Sequence, residues 1–212
     1  MSILLYLAVW TAWAVLHSLL MTPAAKALFQ RLLGRNFALY RLGFIAVAIV
    51  TFGLATLAAP RLPEMLYAVP APWSWLLRGV QVLGLLLLLW TFLVIDGQEF
   101  LGLAQARDFL RQGPAPDVSG ERPGRLLTSG PYGLCRHPMY LAGLLILFAE
   151  PHMSLEHLVF CLFAAAYFFV GSIFEEQRLV QAFGDAYLQY RRRTARIFPL
   201  SFPGNVVERG PS

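Results

Sequence analysis

Charged side chains are scarce in this sequence. They account for 14% of its 212 residues, against 58% for hydrophobic residues, and the mean hydropathy is +0.59. Soluble domains usually carry about 25% charged residues. So little charge over a chain of this length excludes an ordinary soluble domain and predicts an integral membrane protein.

Features that mark several other classes of protein are also missing. The two cysteines, Cys135 and Cys161, fall at the edge of one apolar run and inside another, so we predict no disulfide between them. The histidines lack zinc-like spacing, and we expect no metal site. No glycine-rich turn follows a strand-like segment, which argues against the Rossmann-like sheet that holds cofactors in many soluble enzymes.

Basic residues are few, and almost all of them lie in three segments. Of the 17 arginines and lysines, only Arg61 and Arg78 lie outside the first loop and its flank, the third loop and the tail. Because positive charge stays on the cytoplasmic side, this pattern predicts an N-terminus outside and a C-terminus in the cytoplasm. No basic stretch is interleaved with aromatics away from the membrane edges, so we expect lipid and not nucleic acid as a partner.

Long apolar runs predict the fold class. They lie near 3–20, 39–59, 74–95, 138–149 and 155–174. Only helices or closed barrels satisfy the backbone in lipid, so the runs predict an all-α membrane protein with about five transmembrane helices. The fourth run rises only about 18 Å, less than a hydrocarbon core of about 30 Å. We therefore predict that spans four and five form a helical hairpin with its turn at 150–156.

The predicted organisation is a single membrane domain over residues 1–212. Its parts are three N-terminal spans in 1–95 and a core in 96–212, which includes a cytoplasmic loop at 96–137 and a tail at 175–212 with a C-terminal amphipathic helix. The loop holds a short amphipathic helix that ends near Gln112. The polar stretch 113–124 that follows is either a lid or a plain connector.

A polar, glycine-rich loop runs directly into an apolar helix between residues 126 and 143. Pro138 suits the first turn of a helix, where its missing N–H would have no partner, so we predict that the helix begins there. The N-terminal end of that helix and the neighbouring Arg136 would suit an anionic group such as a carboxylate. Arg136 and His137 are also typical of the basic flank of a membrane helix, which needs no ligand.

Two carboxylates follow the last apolar run. Acidic residues such as Glu175 and Glu176 are unfavourable at the C-terminal end of a helix, so we predict that this helix continues past them into the cytoplasm. Spacings of three and four residues predict one helical stripe that contains Glu175, Leu179, Phe183, Tyr187 and Tyr190. Such a stripe serves either packing or cofactor binding.

Together these segments resemble a known superfamily. The first reads Gly-x-Tyr-x-x-x-Arg-His-Pro-x-Tyr from Gly130 to Tyr140, and the second joins the glutamate pair to Phe183-Gly-x-x-Tyr-x-x-Tyr190. The pattern resembles the isoprenylcysteine carboxyl methyltransferase and phospholipid methyltransferase superfamily of membrane enzymes. Within it the chain is similar to the methanethiol S-methyltransferase and NnrU-like branch, through segments that include His17-Ser18, Phe100 to Gln105 and Pro151 to Leu158.

The resemblance implies S-adenosylmethionine as the cofactor. The cofactor-binding residues that it implies are Gln98, Gln105, Tyr132, Arg136, His137, Pro138, Tyr140, Leu141, Glu175, Glu176, Tyr187 and Tyr190. Among them, arginine suits the carboxylate of the cofactor, a glutamate suits its ammonium or ribose, and the tyrosines suit its adenine or sulfonium. The candidate catalytic residues are His137, Glu175 and Glu176. The intramembrane His17 is either a candidate substrate residue or a side chain that only hydrogen-bonds a neighbouring helix.

The implied function is a methyltransferase of the bacterial inner membrane that depends on S-adenosylmethionine. The favoured acceptor is a small or lipophilic thiol such as methanethiol, which would give dimethyl sulfide. Two alternatives stay open: methylation of an isoprenylcysteine carboxylate or a lipid amine, and a non-catalytic NnrU-like membrane factor.

Overall fold

A computed structural model describes residues 2–95, 97–112 and 125–199. The stretch 113–124 and the tail beyond residue 199 lie outside the described residues. The helices are α1 Ser2–Leu20, α2 Pro23–Leu33, α3 Tyr40–Ala58, α4 Trp73–Val94, α5 Gly97–Phe100, α6 Leu103–Gln112, α7 Pro131–Leu134, α8 Pro138–Phe148, α9 Leu155–Phe183 and α10 Asp185–Arg193, with a 3-10 helix at Gly34–Leu39 and strands β1 Met65–Ala68 and β2 His152–Ser154. The predicted short helix of the third loop is α6, which is described as far as Gln112.

Within the residues that the structure describes, four helical segments are long and apolar enough to cross a membrane. They are Ser2–Leu20, Pro23–Ala58, Trp73–Val94 and Leu155–Phe183, and the second includes α2, the 3-10 helix and α3. The prediction of a mostly helical protein with membrane-length apolar helices is therefore confirmed. The predicted fourth span is α8, which has only 11 residues. A fifth span and the orientation of the termini stay predictions.

The described residues form two compact units, the first of which draws on 2–69, 95, 97–112 and 152–167. Its core is a cluster of aromatic rings around Trp10. The ring centroid of Trp10 lies 4.7 Å from that of Phe160 and 5.0 Å from that of Phe52. Such large rings bury much surface where helices meet.

A two-stranded antiparallel sheet lies in the first unit, where we predicted only a turn at 150–156. β1 pairs with β2 so that Met65 is opposite Ser154 at one end. Glu156 holds the chain beside the sheet, because its carboxylate accepts a hydrogen bond from the Leu62 N–H at 3.2 Å. Strands of four and three residues are too short to leave a periodic pattern in the sequence.

The second unit draws on 70–94, 125–151 and 168–199. In it α8 packs closely along α4, because a β-carbon at Gly84 would lie only 2.9 Å from Cγ1 of Ile146. We predicted that α8 pairs with the next helix as a hairpin, but its close backbone approach is to α4. Toward α9 it presents Tyr140, whose ring stacks on that of Phe168 at 5.0 Å between centroids.

The last long helix ends at a glycine. As predicted, α9 continues past Glu175, and it reaches Phe183. Gly184 then has a φ of +54°, a conformation that favours glycine and ends the helix. Tyr187 and Tyr190 therefore belong to α10, and the prediction of one continuous stripe is wrong. Their positions depend on the bend at Gly184 and not on the period of a single helix.

Candidate functional site

The Arg-His-Pro motif lies where a short turn meets a long helix. Gly130 has a φ of +64°, and the single-turn α7 follows it. Cys135 is extended and fully buried, and α8 begins at Pro138, as predicted. Arg136 and His137 are thus held at the N-terminal end of α8.

The C-terminal tail pairs with this motif through the backbone. The Arg136 N–H donates to the carbonyl of Ala195 at 2.8 Å, and the His137 N–H donates to that of Arg196 at 3.0 Å. These bonds satisfy two donors that precede the helix, where no intrahelical acceptor is available. They also bring the side chain of Arg196 back to the motif.

Arg136 is buried against Glu176, 40 residues away in the chain. Its Nε and Nη2 donate to Oε1 of Glu176 at 2.9 and 2.7 Å. Its Nη1 donates to the carbonyls of Arg191, at 3.0 Å, and of Thr194. The side chains of the ion pair are 8% and 3% exposed. The guanidinium therefore uses most of its five N–H donors inside the protein.

His137 lies between the two carboxylates. Its Nε2 is 3.3 Å from Oε1 of Glu176, and its Nδ1 is 3.3 Å from Oε2 of Glu175. Its ring stacks on Tyr140 at 5.2 Å, and the Tyr140 hydroxyl donates to Oε2 of Glu175 at 3.0 Å. His137 is buried, whereas the side chain of Glu175 is 50% exposed. Glu175 is thus the carboxylate of the pair that a ligand can reach.

Arg196 completes the cluster, although the sequence analysis counted it only as a positive charge. Its Nε is 3.2 Å from Oε1 of Glu176, and its Nη2 donates to Oε2 at 3.4 Å. The guanidinium carbon lies 5.6 Å from the centroid of the Phe169 ring, a cation–π distance. Nothing in the sequence distinguishes Arg196 from the other arginines of the tail, because the contact depends on the path by which the tail returns.

Three motif tyrosines pack in the same unit. The Tyr190 hydroxyl donates to the carbonyl of Tyr132 at 2.6 Å, and the rings of Tyr187 and Tyr190 meet edge to face at 5.9 Å. Tyr187 is fully buried, and among the described residues its hydroxyl has no hydrogen-bond partner. A buried hydroxyl in this state is costly.

Burial also sets the protonation of these side chains. It raises the pKa of Tyr187 to about 12, and the nearby Arg136 guanidinium opposes the rise. Burial raises the pKa of Tyr190 well above its usual value too, and it raises the pKa of the Cys135 thiol to about 11. At neutral pH the tyrosines are therefore donors, and Cys135 is not a nucleophile.

Most of the predicted site residues lie in the second unit. They are Tyr132, Arg136, His137, Pro138, Tyr140, Leu141, Glu175, Glu176, Tyr187 and Tyr190. Contacts join Arg136, His137 and Tyr140 to the glutamate pair. The resulting cluster combines a buried, fully paired carboxylate with an accessible one, an arrangement that can bind a polar or cationic group.

Three predicted residues lie in the first unit. Oε1 of Gln98 accepts a hydrogen bond from Arg107 at 3.2 Å, and Nε2 of Gln105 donates to the carbonyl of Glu99 at 3.3 Å. His17 stacks on Trp13 at 5.1 Å between centroids. Their roles in binding stay predictions. Within the described ranges, no group of three or more histidine, cysteine, aspartate or glutamate side chains is placed to hold a metal ion.

Comparison with known proteins finds several relatives that are named methanethiol S-methyltransferase. The chain is 31% identical over 201 residues to methanethiol S-methyltransferase 2 of Bradyrhizobium diazoefficiens, a match that covers 95% of this chain and 74% of that protein. It is 40% identical over 114 residues to methanethiol S-methyltransferase of Pseudomonas deceptionensis, covering 54% of this chain and 41% of that protein. It is 32% identical over 139 residues to methanethiol S-methyltransferase 1 of Bradyrhizobium diazoefficiens, a match that covers 65% of this chain and 47% of that protein.

The second and third matches span less than half of each relative. No family model matches the chain, and no solved structure matches it. The first match nonetheless aligns almost the whole chain with most of a methanethiol S-methyltransferase. This chain therefore belongs to the methanethiol S-methyltransferase branch of the membrane methyltransferase superfamily.

Proposed function

We propose that this protein transfers a methyl group from S-adenosylmethionine to a small or lipophilic thiol such as methanethiol. The observation that carries the proposal is the cluster in which the Arg136–Glu176 pair, His137 and Glu175 meet. Two segments far apart in the chain supply it, and the named relatives are thiol methyltransferases. Ion pairing for stability alone would not explain the accessible carboxylate beside the buried one.

The chemistry of the cluster fits this cofactor. Glu175 presents a half-exposed carboxylate for an ammonium group or for ribose hydroxyls. The Tyr187 hydroxyl is a buried donor without a partner among the described residues, and Tyr140 offers an aromatic face. When bound, S-adenosylmethionine supplies a methyl group that its sulfonium already activates. The protein then has to align and orient the two reactants and to keep water out of the site.

The buried part of the cluster positions the accessible part. Glu176 is paired with two guanidinium groups, so it serves as a fixed anion that holds Arg136 and His137 in place. Both ring nitrogens of His137 face carboxylates, which fixes the ring against Tyr140. The Tyr140 hydroxyl in turn orients Glu175. We propose that Glu175 contacts the cofactor and that Glu176 acts through its partners.

The test is turnover by the purified protein in detergent or lipid nanodiscs. With S-adenosylmethionine and methanethiol, we expect S-adenosylhomocysteine and dimethyl sulfide in equal amounts. Arg136→Ala should abolish turnover, because it removes the cation that holds Glu176 and the tail. The matched control is Arg78→Ala, which removes a partly exposed arginine paired with Glu150 at 3.3 Å outside both motifs and should keep activity.

The outcomes separate the three functions. Cofactor binding without turnover of thiols would move the acceptor to an isoprenylcysteine carboxylate or a lipid amine. Absence of cofactor binding in the folded protein would contradict the enzyme proposal and favour a non-catalytic membrane factor. Activity retained in Arg136→Ala would remove the cluster from the site.

A further inference from the structure

The two arginines at Glu176 differ in what they can still bind. Arg136 is 8% exposed, and its Nε, Nη1 and Nη2 all donate to groups of the protein. Two free parallel donors are needed to clamp a ligand carboxylate. Arg136 would have to release Glu176 or the carbonyls of the tail to provide them. Arg136 is therefore placed to hold the site together and not to bind the anionic group of a ligand.

Arg196 has the opposite properties. Its side chain is 34% exposed, and its contacts with Glu176 are longer, at 3.2 and 3.4 Å. They involve Nε and Nη2 and leave Nη1 without a hydrogen bond to any described residue. The ring of Phe169 lies under the guanidinium and limits its freedom. A planar cation held on an aromatic face with free donors is preorganised for a planar anion.

The accessible groups of the cluster carry opposite charges. Arg196 is the accessible cation and Glu175 is the accessible anion. They are linked through buried groups, because His137 contacts both glutamates and Glu176 contacts Arg196. A partly exposed cation and a half-exposed anion on a shared buried frame are complementary in charge to the carboxylate and the ammonium of an α-amino acid.

We infer that Arg196 binds the carboxylate of the amino-acid part of the methyl donor, the role that the sequence analysis gave to Arg136. The inference rests on the proposed function, since it names one contact of the same cofactor. Arg136 is then a positioning residue that holds Glu176 and the tail, and Arg196 is the residue that touches the ligand.

The experiment compares two ligands on the same variants. The ligands are S-adenosylhomocysteine and its decarboxylated analogue, and their affinities are measured by titration calorimetry on the full chain in detergent. Arg196→Ala should weaken binding of S-adenosylhomocysteine by about 10- to 100-fold, the loss of a charge-assisted contact. It should leave the affinity for the decarboxylated analogue unchanged. The matched control, Arg192→Ala, removes an exposed arginine of α10 and should change neither affinity.

Because both ligands meet the same variant, damage to the fold would weaken both. Equal weakening of the two ligands would therefore overturn the assignment and make Arg196 structural. Unchanged binding of S-adenosylhomocysteine to Arg196→Ala would overturn it as well, since Arg196 would then make no contact with the ligand. Tighter binding would also overturn it, because Arg196 would then oppose binding of the ligand. Failure of the unmodified protein to bind S-adenosylhomocysteine would contradict the proposal that S-adenosylmethionine is the methyl donor, and with it the role of Arg196.

Discussion

Removal of the charge of Glu176 should destabilise this protein far more than removal of the charge of an exposed glutamate. The Glu176→Gln substitution keeps the shape of the side chain and removes the anion. Oε1 of Glu176 accepts two hydrogen bonds from Arg136 and also contacts Arg196 and His137. With a neutral amide there, the Arg136 guanidinium stays buried and retains only the tail carbonyls as acceptors of full strength.

The expected loss of stability follows from the burial of the Arg136–Glu176 ion pair. Loss of one partner of a buried ion pair costs about 3 to 5 kcal/mol, because the remaining charge is left without compensation. The glutamine oxygen still accepts a hydrogen bond, so we expect the lower end, about 3 kcal/mol. The matched pair is Arg78–Glu150, whose side chains are 46% and 20% exposed. Glu150→Gln should cost about 1 kcal/mol or less.

Thermal unfolding in one detergent at neutral pH measures the difference. For a chain of this size, 1 kcal/mol shifts the midpoint by about 2 to 4 °C. Glu176→Gln should therefore lower the midpoint by roughly 6 to 12 °C, and Glu150→Gln by about 4 °C or less. Glu175→Gln, at a half-exposed position, should leave the midpoint near that of the unmodified protein and weaken cofactor binding.

Equal shifts for Glu176→Gln and Glu150→Gln would refute this reasoning, because they would mean that the Arg136–Glu176 pair is solvated in the protein. A large shift for Glu175→Gln would also contradict it, since the accessible carboxylate would then carry stability and not binding. Rescue offers a further check. Arg136→Met in the Glu176→Gln background removes the stranded cation and should recover part of the lost stability.

Two further predictions concern α10 and α4. The pKa of Tyr187 is raised from 10.0 to about 12, so its contribution to stability is intact below about pH 10 and is lost as pH rises toward 12. Tyr187→Phe should therefore lessen the fall of the unfolding midpoint over that range of alkaline pH; an identical fall in both proteins would contradict burial of the hydroxyl. Gly84→Val should cost about 1 to 3 kcal/mol by overpacking the contact with Ile146. At Gly79 an added β-carbon meets nothing within 4 Å. Gly79→Ala should therefore stabilise α4 by about 0.5 to 1 kcal/mol in the same unfolding assay. Equal effects of the substitutions at Gly84 and Gly79 would contradict the close approach of α8 to α4.

Much of the helical architecture could be predicted from the sequence, because it depends on local properties. Backbone groups in lipid must be satisfied within a segment, so the apolar runs predicted both ends of α1, α3 and α4, and the start of α9, to within a residue or two. Pro138 marks the start of α8 because its ring and missing N–H suit only the first turn. The glutamate pair correctly signalled that α9 extends past the apolar run.

Other features depend on contacts between distant segments. The pairing of β1 with β2 joins strands too short to show a pattern, and the partner of α8 depends on the space left at Gly84. The bend at Gly184 changes the direction in which Tyr187 and Tyr190 point. Glycine makes such a bend permissible, but only packing decides whether it is used.

Hydropathy and residue type are properties of each position, so the apolar helices of membrane length and the motif residues could be predicted before any contact was known. The contacts among those residues depend on the tertiary structure. It placed Glu176 on Arg136 and closed the tail over the motif. It also left Glu175 and Arg196 accessible. Charges pair according to distance and burial in three dimensions, and neither quantity can be read from spacing along the chain.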